Sequence, residues 1–269
     1  MPTATLNGIR VHYETYGAGD PVLLINGLSA PAVNWLFQVK GLSPRYQVVT
    51  FDNRGVGETE MPEAPSYPTS QMADDAAAVL DHLGVARAHV VGHSMGGTIA
   101  MELAIRHPRR VRSLALCGTW ADGDGRFLHT IGSWMAVWGQ LGAEDRFRHL
   151  LMPWLYTPGF LADKAKVAET VTRVLEYPFP TKTEALQRQA QGLLDWNGTR
   201  RREIRRIRVP TLVLVGREDN LTVPAFSRAL AAMIPKARLK LIPGGHGFTI
   251  ECSEAFNRAL LDFLKGVKR

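Results

Sequence analysis

The feature that most constrains the fold is a regular alternation of short apolar runs and longer helical patterns between residues 7 and 118. Four runs have the length of a strand and are mainly apolar: residues 21–25, 46–51, 88–91 and 111–117. Such runs are typical of strands buried on both faces, as in parallel sheets, whereas the alternating run 9–16 predicts a half-exposed antiparallel strand. Helical patterns at about 32–41, 69–83 and 95–106 separate the runs. The alternation predicts a mostly parallel, doubly wound α/β sheet with right-handed crossovers.

This rhythm stops between residues 121 and 208, where the pattern is helical and is interrupted by four prolines. It resumes with strand-like runs at 210–216 and 238–242 and helical patterns at about 224–234 and 253–265. A chain of 269 residues is long enough for one large α/β domain that carries an insertion. We therefore expect an α/β core formed by residues 1–120 and 209–269, with residues 121–208 inserted as a helical cap.

The two cysteines and the charge distribution exclude several classes of protein. Cys117 and Cys252 are far apart and lack CxxC spacing, which excludes a disulfide scaffold and gives no cysteine-based zinc motif. The net charge is +7, but residues 200–208 alone contain six Arg and one Glu, a local charge of +5. We interpret that run as a solvated face at the end of the insertion and expect no nucleic-acid partner. No metal or cofactor is expected.

The amino-terminal residues have no basic segment followed by an apolar one, and no apolar run reaches about 18 residues. The expectation is a soluble, cytoplasmic protein without a membrane partner.

The most informative stretch is Gly92-His93-Ser94-Met95-Gly96, which fits the pattern G-x-S-x-G. It lies directly after a predicted strand and at the start of a predicted helix, and this context distinguishes it from a chance match. A sharp strand-to-helix turn with glycines on either side of a serine exposes the serine hydroxyl. Ser94 is therefore the candidate nucleophile.

A serine hydroxyl needs a general base, and the base needs an acid that orients it. His246 follows the last predicted strand in a glycine-rich loop, at a strand end where open α/β sheets build their sites. The acid is expected after a strand between the serine and the histidine. Asp219 is favoured, with Glu218 as its neighbouring rival and the pair Asp122 and Asp124 as a further alternative.

Acyl transfer also requires N–H groups that point at the oxyanion formed during the reaction. One candidate donor is the backbone N–H of Met95, the residue after the serine. The second is the backbone N–H of Leu28, in the loop that follows the strand 21–25.

These motifs occur in the order typical of one family. The chain resembles the α/β-hydrolase-fold serine hydrolases of the esterase and lactonase type, through the segments NGLS, DNRGVG, GHSMGG, GREDNLTVP and GGHG. The resemblance implies Ser94 as nucleophile, Asp219 as acid, His246 as base, an oxyanion hole from Leu28 and Met95, and Arg54 as a loop-ordering residue. Relatives usually have His-Gly where this chain has Asn26-Gly27. The serine at the elbow argues against relatives with an aspartate nucleophile, such as epoxide hydrolases and haloalkane dehalogenases.

The resemblance implies a carboxylesterase-like enzyme that hydrolyses a small-molecule ester or lactone through an acyl-enzyme, without a cofactor. More specialised members of the same fold are the alternatives within enzymes: an enol-lactonase, a methyl esterase, a carbon–carbon bond hydrolase or a perhydrolase. A catalytically silent, ligand-binding member of the fold is the alternative outside enzymes.

The predicted cap is rich in aromatic residues, since five of the six tryptophans lie in it or at its entry. Aromatic side chains commonly line ligand pockets, so the substrate is expected to be largely apolar. We predict four substrate-binding tryptophans: Trp35, Trp134, Trp138 and Trp154.

Overall fold

A computed structural model describes residues 2–267 of the chain. Eight strands form one sheet in the order β1-β2-β4-β3-β5-β6-β7-β8. The strands are β1 (Thr3–Leu6), β2 (Ile9–Tyr16), β3 (Asp20–Ile25), β4 (Tyr46–Phe51), β5 (Ala88–His93), β6 (Val111–Cys117), β7 (Thr211–Gly216) and β8 (Arg238–Ile242). From β4 to β8 every neighbouring pair is parallel, whereas β1 and β2 pair antiparallel at one edge. The predicted α/β class and mostly parallel sheet are confirmed.

The edge strand β1 was not predicted from the sequence. It pairs with β2 through a two-residue turn in which Asn7 and Gly8 have φ values of 48° and 77°. Asn-Gly is the sequence that favours such a turn, because both positions need a positive φ. The signal was present, but the strand has only four residues and none of its side chains is fully buried.

The sheet is buried on both faces, which explains its continuous apolar runs. In β3, Leu23 and Ile25 pack into one apolar cluster, while Val22 and Leu24 pack into another on the opposite face. Successive side chains of a strand point to opposite faces, so a strand covered on both sides must be apolar at every position.

Helices cover the two faces of the sheet and also form the regular structure of the stretch between β6 and β7. Those of the core are α1 (Leu36–Leu42), α2 (Thr69–His82), α3 (Met95–Arg106), α11 (Pro224–Met233), α12 (Phe248–Glu251) and α13 (Ser253–Lys265). Those between β6 and β7 are α4 (Gly125–Val137), α5 (Ala143–Asp145), α6 (Met152–Leu155), α7 (Pro158–Ala162), α8 (Lys164–Leu175), α9 (Thr183–Trp196) and α10 (Arg201–Ile204). A π-helical stretch, Arg146–Leu151, joins α5 to α6, and short 3-10 turns occur at Ala32–Trp35, Pro108–Arg110 and Trp138–Gln140. No helix within residues 2–267 combines the length and the apolar character needed to cross a membrane.

Residues 121–208, which we call the insert, are joined to the core through a buried carboxylate. Glu102 of α3 is fully buried, and its Oε1 accepts hydrogen bonds from Nε1 of Trp196 at 2.8 Å and from Nε of Arg200 at 2.7 Å. Arg201 forms a second ion pair, with Asp122 at the start of the insert. The arginine run at 200–208 is therefore not a wholly solvated face, because two of its arginines tie the end of the insert to other parts of the chain.

One buried histidine in the sheet makes stability depend on pH. His89 of β5 lies with its Nδ1 2.7 Å from the hydroxyl oxygen of Ser113 and its ring edge-on to Tyr46. Burial, reinforced by the positive charge of Arg112, lowers the pKa of His89 to about 4. The unfolded chain has an ordinary histidine with a pKa of about 6.5 and binds more protons than the folded chain between these values. The His89 contribution to stability is complete above about pH 6.5 and is lost as the pH falls towards 4.

We predict that His89→Gln reduces the loss of unfolding free energy between pH 7 and about pH 4.5 by roughly 2 kcal/mol, because glutamine does not titrate in this range. Urea unfolding of both proteins at both pH values measures the difference. His149→Gln is the control, since the side chain of His149 is 73% exposed. Equal pH dependence in His89→Gln and in the unaltered protein would contradict the prediction.

Candidate active site

Ser94 stands at the turn between β5 and α3 in a strained backbone conformation. Its φ and ψ are 56° and −124°, a region that residues with a side chain rarely adopt. A Cβ on Gly92 would lie 2.2 Å from the carbonyl oxygen of Gly96, and one on Gly96 would lie 2.1 Å from that of Ile25. The N–H of Ser94 donates to the carbonyl oxygen of Cys117 at 2.9 Å. The turn therefore has the tight geometry that projects a serine hydroxyl from the sheet edge.

His246 and Asp219 meet beyond the ends of β8 and β7, and both are almost fully buried. Nδ1 of His246 lies 2.9 Å from Oδ2 of Asp219. The backbone N–H groups of Leu221 and Thr222 donate to Oδ1 at 3.0 and 2.8 Å, and the Thr222 hydroxyl donates to Oδ2 at 2.8 Å. A carboxylate held in this way keeps the proton of the imidazole on Nδ1, which leaves Nε2 able to accept another.

The other acids weighed from the sequence lie in different surroundings. Glu218 is exposed, Asp122 is paired with an arginine at the end of the insert, and Asp124 caps the first turn of α4. Within residues 2–267, Asp219 alone of these four carboxylates is hydrogen-bonded to His246.

Two glycines allow neighbouring strand ends to approach the site. A Cβ on Gly27, in the loop after β3, would lie 2.9 Å from Cβ of Ser94. A Cβ on Gly118, directly after β6, would lie 3.3 Å from Oδ2 of Asp219 and 3.4 Å from Nδ1 of His246. The site therefore lies at the carboxyl ends of the strands, where open α/β sheets bind their ligands.

The two predicted oxyanion donors are available. Met95 begins α3, so its N–H has no acceptor within the helix. Neither this N–H nor that of Leu28 has an acceptor among the described residues, and Leu28 directly follows Gly27. No hydrogen bond joins the Ser94 hydroxyl to His246 within the same range, and such contacts often form only when a substrate is bound.

Comparison with known families shows to which protein family the chain belongs. The family profile described as alpha/beta hydrolase fold matches residues 20–251. The chain belongs to this family of hydrolases. The match covers the turn at Ser94, the loop that carries Asp219 (the acid loop) and the loop that carries His246 (the histidine loop). It confirms the resemblance inferred from the order of the motifs.

The matches with individual relatives span nearly the whole chain. A protein of Azorhizobium caulinodans named carbamate hydrolase RutD is 35% identical over 264 residues, which cover 98% of each chain. The crystal structure of the enol-lactonase from Burkholderia xenovorans LB400 is 30% identical, with a TM-score of 0.86, and the match covers 98% of this chain and 100% of that one. The meta-cleavage product hydrolase CumD from Pseudomonas fluorescens is 26% identical, with a TM-score of 0.85, over 100% and 98% of the two chains.

His93, the variable residue of the serine motif, supports the histidine loop of the hydrolase. Its Nε2 donates to the backbone oxygen of His246 at 3.0 Å, and the two rings lie with centroids 4.9 Å apart. Burial and the neighbouring His246 lower the pKa of His93 to about 3, so its ring is neutral at neutral pH. Trp35 and Phe248 enclose it edge-on. Sequence reasoning missed this role because His93 occupies a position of the G-x-S-x-G pattern at which any residue is allowed.

The histidine loop is also held by the insert. Oε2 of Glu251 accepts the N–H of Gly245 at 3.0 Å, and Oε1 of the same carboxylate accepts the hydroxyl of Thr157 from the insert. The N–H of Gly247 donates to the carbonyl oxygen of Leu155 at 2.6 Å. The two residues that flank His246 are thus hydrogen-bonded to the insert, directly or through Glu251. Sequence reasoning missed these contacts because the partners lie about 90 positions apart.

The four tryptophans predicted to bind substrate have different surroundings. Trp35 is buried in the apolar cluster beside Phe256, behind His93. Trp134 and Trp138 are buried in the insert, and the guanidinium of Arg146 lies over the Trp138 ring. Trp154 is half-buried against the main core cluster. Trp35 packs against His93. Contact with substrate remains a prediction for all four tryptophans.

We predict that Thr157→Val increases the hydrogen-exchange rate of the Gly245 and Gly247 amides roughly fivefold, because the hydrogen bond from Thr157 to Glu251 contributes about 1 kcal/mol. The substitution also removes the acceptor of the Phe160 N–H at the start of α7. Exchange measured by mass spectrometry on the peptide that contains the histidine loop tests this.

Thr170→Val is the matched control for that experiment. The Thr170 hydroxyl donates to Lys166 within its own helix at 2.7 Å and does not contact the loop. Unchanged exchange in Thr157→Val, or an equal increase in both variants, would show that Thr157 does not restrain the histidine loop.

Proposed function

We propose that this hydrolase cleaves carboxylic esters with Ser94 as the nucleophile. The supporting observation is the strained turn at Ser94 beside a buried His246–Asp219 pair. This combination supplies a partly accessible serine, a base with a fixed tautomer and an acid that balances the imidazolium charge.

In the proposed reaction, Oγ of Ser94 attacks the ester carbonyl while Nε2 of His246 accepts the hydroxyl proton. The tetrahedral oxyanion receives hydrogen bonds from the N–H groups of Leu28 and Met95. His246 then gives the proton to the departing alcohol, and the acyl group stays on Ser94. His246 then deprotonates a water molecule that attacks the acyl carbon, and the same proton passes to Oγ of Ser94 as its bond to the acyl group breaks and the acid leaves. Asp219 remains ionised throughout.

We infer that residues 121–208 act as a cap that supplies an apolar binding surface. The insert contributes hydrogen bonds to the histidine loop and contains four tryptophans. Its high content of aromatic residues favours an ester with apolar acyl or alcohol groups. The half-buried Trp154 is next to Pro153, whose carbonyl oxygen accepts a hydrogen bond from Asn220 in the acid loop at 3.2 Å.

A carbamate is the second candidate substrate, because the relative that is 35% identical over 98% of the chain is named for carbamate hydrolysis. A carbamate presents the same kind of carbonyl to the serine, so the triad and the oxyanion hole serve both substrates. The difference lies in the group attached to the carbonyl carbon, which the cap and the adjacent loops contact.

We predict that Ser94→Ala lowers kcat for p-nitrophenyl ester hydrolysis by at least roughly 10³-fold, since the attacking oxygen is removed. Steady-state kinetics measure the loss, and circular dichroism checks the fold. Ser133→Ala is the matched control, because the Ser133 hydroxyl is exposed and bonds only within its own helix, to His129 at 2.9 Å. Activity in Ser94→Ala close to that of the control would refute the role of Ser94.

We predict that p-nitrophenyl pentanoate has a higher kcat/KM than p-nitrophenyl N-propylcarbamate, after correction for spontaneous hydrolysis. The two substrates have the same length and leaving group and differ only in one CH₂ replaced by NH. An apolar surface favours the ester, because the carbamate N–H loses water without a partner there. A higher corrected value for the carbamate would establish the second candidate instead.

A further inference from the structure

The loop that carries Leu28 is held by two side chains of the insert. The N–H of Ser29 donates to Oε1 of Gln189 at 2.9 Å. The carbonyl oxygen of Ser29 accepts the hydroxyl of Thr181, also at 2.9 Å. Both backbone polar groups of the residue after the predicted donor Leu28 are thus fixed from outside the core.

Ser29 needs this support because its φ is 58°, a conformation that residues with a side chain rarely adopt. A strained residue keeps such a conformation only where its surroundings determine it. The two hydrogen bonds from the insert fix the peptide planes on either side of Ser29. Those planes set the direction of the chain immediately after Leu28.

Gln189 itself is fully buried in α9 and has a single favourable orientation. Its Nε2 donates to the carbonyl oxygen of Arg54 at 3.0 Å, while its Oε1 accepts from Ser29. Rotating the amide by 180° would place N–H against N–H and oxygen against oxygen. Arg54 is fixed in turn by two hydrogen bonds of 2.8 Å to the buried carboxylate of Asp75. Gln189 therefore connects the loop that carries Leu28 and Ser29, which we call the oxyanion loop, to the buried ion pair of Arg54 and Asp75.

The remainder of this loop is fixed by core residues. Nδ2 of Asn26 donates to the carbonyl oxygen of Pro31 at 2.6 Å, and Nδ2 of Asn53 donates to the backbone oxygen of Asn26 at 3.1 Å. The loop is thus held by the core at Asn26, by its own bond between Asn26 and Pro31, and by the insert at Ser29. The Leu28 N–H between Asn26 and Ser29 is left without an acceptor among residues 2–267.

We propose that Gln189, assisted by Thr181, is a positioning residue that completes the oxyanion hole from the insert. The inference rests on the proposed serine hydrolase function. The insert then does more than cover the substrate, because the Leu28 donor is aligned only while α9 and the segment before it are seated on the loop. A misaligned donor reduces the stabilisation of the transition state more than the binding of the substrate, because the oxyanion develops only during the reaction.

The test compares Gln189→Met with the unaltered enzyme. Methionine has a similar volume but offers neither of the two hydrogen bonds. We expect kcat for p-nitrophenyl pentanoate to fall roughly 10- to 100-fold, less than or equal to the loss of one complete oxyanion donor, while KM changes less than about threefold. Gln187→Met is the matched control, because Gln187 lies on the exposed side of the same helix.

A second measurement separates positioning from general stability. A trifluoromethyl ketone with a butyl chain forms a hemiketal oxyanion on the serine, whereas the unreactive amide of the same chain length binds only as a ground-state analogue. We expect Gln189→Met to weaken inhibition by the ketone roughly 10- to 100-fold and to leave that by the amide unchanged. Equal weakening of both inhibitors, or unchanged inhibition by both, would overturn the proposal.

Two further variants keep the proposal testable if Gln189→Met does not fold. Thr181→Val removes the hydroxyl donor to Ser29 and should show the same selective loss to a smaller extent, while Thr181→Ser should restore it. A different result would contradict the proposed function itself: the unaltered enzyme would neither hydrolyse the ester nor form an adduct with the ketone at Ser94. Ketone binding that is intact in the unaltered enzyme and unaffected in Thr181→Val would reject the positioning role alone.

Discussion

The site depends on the close approach of three backbone segments around Ser94. The turn brings Gly92 against Gly96, Gly96 against Ile25, and Gly27 against the side chain of Ser94 itself. Each approach leaves no space for a Cβ, and together they hold Ser94 at a positive φ that an isolated turn would not keep. The strain is supported by strands buried on both faces, which cannot shift without opening the apolar core.

Apolar contacts build the sheet, but polar contacts orient the groups around the site. Burial of apolar area has little directional preference, so it fixes strand positions without fixing the direction of an N–H or the tautomer of an imidazole. That direction comes from Thr222 on Asp219, from His93 and Glu251 on the histidine loop, and from Gln189 on the oxyanion loop. Each of these side chains has its own polar partners, as buried polar groups require.

Most predictions were accurate where the determining residues are close together along the chain, strand β1 being an exception. Six of the predicted ranges coincide with their strands or helices: 9–16, 46–51, 95–106, 111–117, 238–242 and 253–265. The pairing of Asp219 with His246 was also expected, because both follow strands that end at one edge. The contacts of Glu102, Glu251 and Gln189 were not foreseen, because each joins residues about 90 or more positions apart. Periodicity carries no information about such partners, and a buried glutamate or glutamine within a helical pattern looks like any surface residue.

The positions of these distant contacts determine what the insert contributes. They lie at its end on Glu102, near its middle on the histidine loop, and along α9 on the oxyanion loop. Apolar packing has little directional preference, whereas displacing these links leaves buried donors and acceptors unpaired. Two of these links hold the loops that carry Leu28 and His246. In the proposed reaction, seating of the insert and alignment of the site are therefore coupled through the loops that carry Leu28 and His246.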